Sequence, residues 1–146
     1  MLNTKGNNMV EQTIISELAH FGIQAEIITK QFKTYKSIPS KHNGVYVVSE
    51  GDNVVYVGKG WVRARQSKHW EKALADFKHG TNDTKGWKWL RENYSTYNLT
   101  PENWTVQYII LHKETELTAM EGALIHRLQP LANDETFNDN ARTLKG

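Results

Sequence analysis

The sequence predicts an α+β fold: a small sheet of three strands with helices packed on it. Two observations carry this. Runs rich in β-branched and aromatic residues occur at GVYVVS (44–49), NVVYVG (53–58) and WTVQYIIL (104–111). Between and beyond them lie stretches whose apolar residues recur every three or four positions, at 9–21, 62–77 and 115–128. A chain of 146 residues fits one domain that buries a core unaided. With no cysteine, it has neither disulfides nor thiolate zinc sites.

Taken in order, the first element is MVEQTIISELAHF, where Val10, Ile14, Leu18 and Phe21 share one helical stripe and Gly22 follows as a C-cap. The next stretch, IQAEIITKQF, is a weaker strand candidate. Pro39 and SKHNG then break the chain, which places a boundary between a helical N-terminal extension (1–42) and a core (43–135). GVYVVS and NVVYVG read as paired strands turned by EGDN. Turn length decides where their tyrosines go: a three-residue loop sets Tyr46 opposite Tyr56, and a four-residue loop puts them on opposite faces. A helix is expected over 62–77, with Arg65, His69 and Lys72 lining a second stripe beside the apolar one. KGWKWLRENY (85–94) is a further helix, WTVQYIIL the third strand, and TELTAMEGALIHRL a helix stopped by Pro130. Residues 136–146 have no periodicity and read as a mobile tail.

Composition narrows the setting. Hydrophobic residues at 38% and charged residues at 23% argue against general disorder. The polar start MLNTKGNNMVEQ has no apolar signal-peptide core, and no run is long enough to span a membrane, so a cytoplasmic location is expected. Charge is uneven. Residues 56–91 hold nine Lys or Arg against three acids, whereas the remainder holds nine against thirteen. Such a segment is either a solvated helix face or a surface for phosphates.

Two tyrosines in paired strands, an arginine and a histidine on the next helix, then a distant glutamate and an asparagine form a recognisable series. It resembles the GIY-YIG nuclease family. Gly44-Val45-Tyr46 and Tyr56-Val57-Gly58 match the two tripeptides that name the family, with Val in place of Ile. Arg65, with Arg63 as the alternative, matches its helix arginine, and His69 the histidine one turn later. Glu121 matches its glutamate, Asn133 within LQPLAND its asparagine, and Lys59 a position often lysine. The resemblance spans roughly residues 43–135. It implies a mainly antiparallel three-stranded sheet, and hydrolysis of DNA phosphodiesters with one Mg²⁺ (or Mn²⁺) held by Glu121.

The residue chemistry agrees with those roles. A carboxylate on the apolar arc of Leu117, Leu124 and Leu128 is costly unless paired or bound to a cation; otherwise Glu121 lies at the arc's edge and reaches solvent. The Arg65 guanidinium suits a phosphoryl transition state. Tyr46, Tyr56 or His69 would orient or deprotonate water, and neighbouring cations, Arg65 and Lys59 among them, should lower a phenol's pKa. Asn133 would brace the glutamate helix or the Gly58 strand. Lys59, Arg63, Lys68, Lys72, Lys85 and Lys88 are expected on phosphates of double-stranded DNA, with Trp87 stacking or wedging at bases. A homo-oligomer would serve a double-strand cut. The rival expectations are a nucleic-acid-binding domain that keeps the fold without catalysis, and a protein-interaction module in which the two tripeptides are merely structural.

Overall fold

The computed structural model describes residues 8–34, 43–59, 77–78 and 85–133. Expectations that fall on Arg63, Arg65, Lys68, His69, Lys72 and the tail lie outside these residues, as does most of the helix expected over 62–77. Its end, at Phe77 and Lys78, is helical.

The architecture is α+β. Helix α1 (Asn8–Phe21) leads into strand β1 (Ile27–Gln31), and a 3₁₀ turn (Phe32–Thr34) follows. Strands β2 (Asn43–Glu50) and β3 (Asn53–Lys59) form a hairpin. Helix α2 (Lys85–Asn93), a second 3₁₀ turn (Pro101–Asn103), strand β4 (Thr105–Leu111) and helix α3 (Glu114–Leu128) complete the described chain.

The sheet has four strands rather than three, in the order β1-β4-β2-β3 and antiparallel throughout. The added strand is IITKQ from the weak candidate at 23–32. Its short, half-polar pattern gives little local signal; it becomes a strand because β4 offers it a full ladder, from Ile27 opposite Ile109 to Gln31 opposite Thr105. Residues on both sides of position 42 therefore build one sheet.

Side chains alternate across this sheet and split the core in two. On one face Val45, Val47, Val57 and Ile109 pack beneath α1 and α3. Helix α1 brings the predicted stripe, with Val10, Ile14 and Leu18 buried, whereas Phe21 stands 41% exposed. The two helices are also clipped by charge: Arg127 Nη1 of α3 donates to Glu17 Oε2 of α1 at 2.6 Å. On the other face Tyr46, Tyr56 and Tyr108 join Phe32, Trp87 and Trp104 in a largely aromatic cluster.

The hairpin turn is two residues, Gly51 and Asp52, closed by the pair Glu50–Asn53. Gly51 takes a left-handed φ of 62°, which costs glycine little. Neither loop length weighed from the sequence occurs. The tyrosines reach one face by another route. Ser49 pairs with Val54, but Val48 pairs with Tyr56, so Val55 is an extra residue in β3. This bulge shifts the register by one. Without it Tyr56 would lie opposite Val47 and point toward α1 and α3. With it, Tyr46 lies opposite Gly58 and Tyr56 opposite Val48.

Candidate active site

Tyr46 and Tyr56 sit diagonally on adjacent strands, their ring centroids 6.1 Å apart. Backbone spacing makes that approach possible. A Cβ on Gly58 would lie 2.5 Å from both Cζ and Oη of Tyr46, so the phenol crosses β3 only because residue 58 has no side chain. Gly86, in the first turn of α2, does the same for Tyr56: a Cβ there would fall within the Tyr56 ring edge and against the Ala132 carbonyl. The glycine of the second tripeptide is thus a packing requirement of the first tripeptide's tyrosine.

A third tyrosine belongs with these two. Tyr108 of β4 lies directly opposite Tyr46 and is fully buried on the same face. The available sequence signal was one tyrosine in each of three strands, but its face depends on a pairing of residues 62 positions apart.

Glu121 is half-buried on α3. Its negative charge is felt at Tyr56, where burial first and this carboxylate second push the phenol up to about 12. The direction is opposite to that expected from neighbouring cations. The physical reason is that desolvation penalises the phenolate and that, among the described residues, the charge acting on it is the Glu121 carboxylate. Burial likewise raises the Tyr108 phenol.

Asn133 joins two elements of the site. Its Oδ1 accepts the Val57 N–H at 2.9 Å, and its Nδ2 donates to the Val57 carbonyl. The side-chain amide thus stands in for a neighbouring strand's peptide group at the edge of β3. The chain leading to it does likewise: the Leu131 and Ala132 N–H groups donate to the Val54 and Val55 carbonyls at 3.2 and 3.0 Å. The segment after α3 is therefore laced along the bulged strand that carries Tyr56.

Lys59 ends β3, and its ammonium reaches α3, donating to Thr118 Oγ1 at 3.3 Å and lying 3.5 Å from Glu114 Oε2. Both contacts are exposed and contribute little to stability, but they hold the cation on the helix that bears Glu121. Lys88 is exposed on α2. Trp87 departs from expectation. It is 5% exposed, stacked on Phe32 and packed against both tyrosines, so its faces are not offered to bases. Trp89, two residues on, is the partly exposed one and lies against Tyr97. The alternation follows from α2 turning its Trp87–Leu90 side to the core.

Among the described residues no three His, Asp or Glu side chains converge as a metal cage. A Mg²⁺ ion does not need one: it keeps most of its waters and binds through one or two carboxylates. A single half-buried carboxylate fits that donor requirement. Among the described residues no helix is long and apolar enough to cross a membrane. The chain matches no protein-family model and no curated protein, so the functional reading rests on these residues and their geometry.

Proposed function

We propose that the chain is a GIY-YIG-like endonuclease that hydrolyses phosphodiester bonds of double-stranded DNA. The observation that carries the reading is the meeting of side chains from three separate elements. The β3 bulge sets Tyr56 on the face of Tyr46, at 6.1 Å between ring centroids, and Glu121 of α3 acts electrostatically on that same Tyr56. A structural hairpin has no need for such a carboxylate 65 residues further along the chain.

Glu121 would hold one Mg²⁺ or Mn²⁺, which when bound neutralises the scissile phosphate and stabilises the leaving oxygen. The chain's own groups do the rest. Water forms the new P–O bond as the bond to the 3′-oxygen breaks. Tyr56, whose burial disfavours the phenolate, is suited to donate its O–H to a phosphate oxygen. Tyr46 or His69 is then left to orient or deprotonate the water. Arg65 supplies the charged fork for the transition state, and Lys59 draws in the phosphate backbone. Asn133 keeps β3, and with it Tyr56 and Gly58, in register with α3.

Incubation of supercoiled plasmid with Mg²⁺ tests this. Wild type should nick or linearise it, Glu121→Ala should not, and Arg65→Ala should bind but cut on the order of 10²–10³ more slowly. Equal cutting by Glu121→Ala would overturn the assignment. The burial of both phenols, 6% and 8% exposed, favours one other reading, a binding domain that retains the fold. That domain would bind DNA in a salt-dependent way and cleave nothing with either metal.

A further inference from the structure

Trp87 packs against both tyrosines, the three rings forming a triangle whose centroids are 4.8–6.5 Å apart. Its ring is nearly parallel to that of Tyr46, with centroids 6.5 Å apart and planes 16° apart, and it sits 4.8 Å from the Tyr56 ring at a 43° tilt. Phe32 stacks on it at 6.0 Å, and Phe77 meets it edge-on at 5.7 Å. A side chain held by four rings has little freedom to turn. Its one polar group, the indole N–H, is buried and donates to the Tyr46 oxygen at 3.4 Å. A buried tryptophan normally finds such a partner. Here the partner is a residue that the proposed reaction uses.

The consequence for Tyr46 is directional. A phenolic oxygen has one proton and two lone pairs. Once the indole N–H occupies one lone pair, the Tyr46 proton is directed away from Trp87. The same oxygen lies over Gly58, in space that a Cβ there, 2.5 Å from it, would take. The donor on α2 and the room left on β3 come from different elements and together set one orientation of the phenol. No comparable donor is recorded for Tyr56 among the described residues. The ring of Trp87 touches both phenols, but its N–H donates to one of them, Tyr46.

We propose that Trp87 is a positioning residue of the nuclease site, with its indole N–H setting the orientation of the Tyr46 hydroxyl for the reacting water. The proposal rests on the nuclease reading. It assigns to a core tryptophan, in the helix that ends the basic segment, control over one of the two tripeptide tyrosines.

Trp87→Phe in the 146-residue chain keeps an aromatic ring in the stack while removing the donor and part of the ring volume. On supercoiled plasmid with Mg²⁺, kcat should fall about tenfold, the value of one lost hydrogen bond, while KM stays within about twofold. Adding Trp87→Phe to Tyr46→Phe should lower kcat no further, because the donor acts through the hydroxyl already removed. A variant that melts earlier but keeps the wild-type kcat would reduce Trp87 to core filling and overturn the proposal. A measurement independent of cleavage guards against a variant that does not fold. In the ¹H–¹⁵N spectrum the Trp87 indole resonance should move in Tyr46→Phe, and an unmoved resonance would overturn the contact. If wild type cuts no plasmid with Mg²⁺ or Mn²⁺, the nuclease reading fails and this proposal with it. If wild type cuts and Trp87→Phe cuts at the same kcat, only this proposal fails.

Discussion

At the scale of single residues, the site is organised by side chains that complete the backbone as well as by those that would do chemistry. Asn133 is the clearest case, because it satisfies both the N–H and the carbonyl of Val57 in a buried setting. Removing it leaves two buried backbone groups unpaired, each worth about 1–3 kcal/mol. Asn133→Ala should therefore lose roughly 2–4 kcal/mol in urea denaturation, and a loss near zero would mean that the edge of β3 finds other partners. Tyr56 makes a pH prediction. Its folded pKa of about 12 lies above the value near 10 of an unfolded phenol. Below about pH 10 the phenol is protonated in both states and its contribution is fully present. Between about pH 10 and 12 only the unfolded chain ionises, so stability should fall by ~3 kcal/mol across that window. Tyr108 adds a loss in the same direction. Urea midpoints measured from pH 9 to 12 should drop less steeply in Tyr56→Phe than in wild type; parallel slopes would show that this phenol is not held protonated by the fold.

At the scale of elements, the β3 bulge decides more than any helix does. Strand propensity explains why NVVYVG is extended, and it says nothing about which way Tyr56 faces. One extra residue, Val55, turns Tyr56 from the helix face to the aromatic face. Val55→Ala removes two buried methyl groups, for a cost of about 2 kcal/mol. Deleting Val55 would remove the bulge and leave Tyr56 opposite Val48, still on the aromatic face, at the further cost of the bond from the Ala132 N–H to the Val55 carbonyl, about 1 kcal/mol. Thermal melting of the two variants checks this: both should fold, with the deletion melting slightly lower, and a deletion variant that does not fold would mean that the bulge itself is needed to pair the hairpin. Helix α2 is read with similar ambiguity from sequence. A helix was expected there, but KGWKWL holds two tryptophans two residues apart, and such a pair cannot share a helical face. Only the packed structure chooses Trp87 for the core and leaves Trp89 at its margin.

At the scale of the whole molecule, the N-terminal residues belong to the same packed unit as the hairpin. Helix α1 buries Val10, Ile14 and Leu18 against the sheet and α3, and β1 covers one edge of β4. Three buried aliphatic side chains contribute about 5–9 kcal/mol before entropy, comparable to the net stability of a domain. A fragment starting at residue 43 should therefore be unfolded or aggregated, with its β4 edge open to other chains. Circular dichroism and gel filtration would show this, whereas a cooperative, monomeric fragment would mean that the hairpin and α3 fold without α1 and β1.

What the sequence determined by itself was local. Runs of β-branched and aromatic residues marked GVYVVS, NVVYVG and WTVQYIIL as strands, and periodicity near 3.6 marked α1 and α3, because each signal belongs to one stretch of chain. The order of Tyr46, Tyr56, Glu121 and Asn133 was also legible as a series along the chain. What only the tertiary structure decided was pairing: the fourth strand, the two-residue turn with its bulge, the burial of Trp87, and the joining of Asn133 to Val57. Each of these depends on groups far apart in sequence satisfying one another's hydrogen bonds or volumes. That condition is set by the assembled packing, and no single stretch of residues contains it.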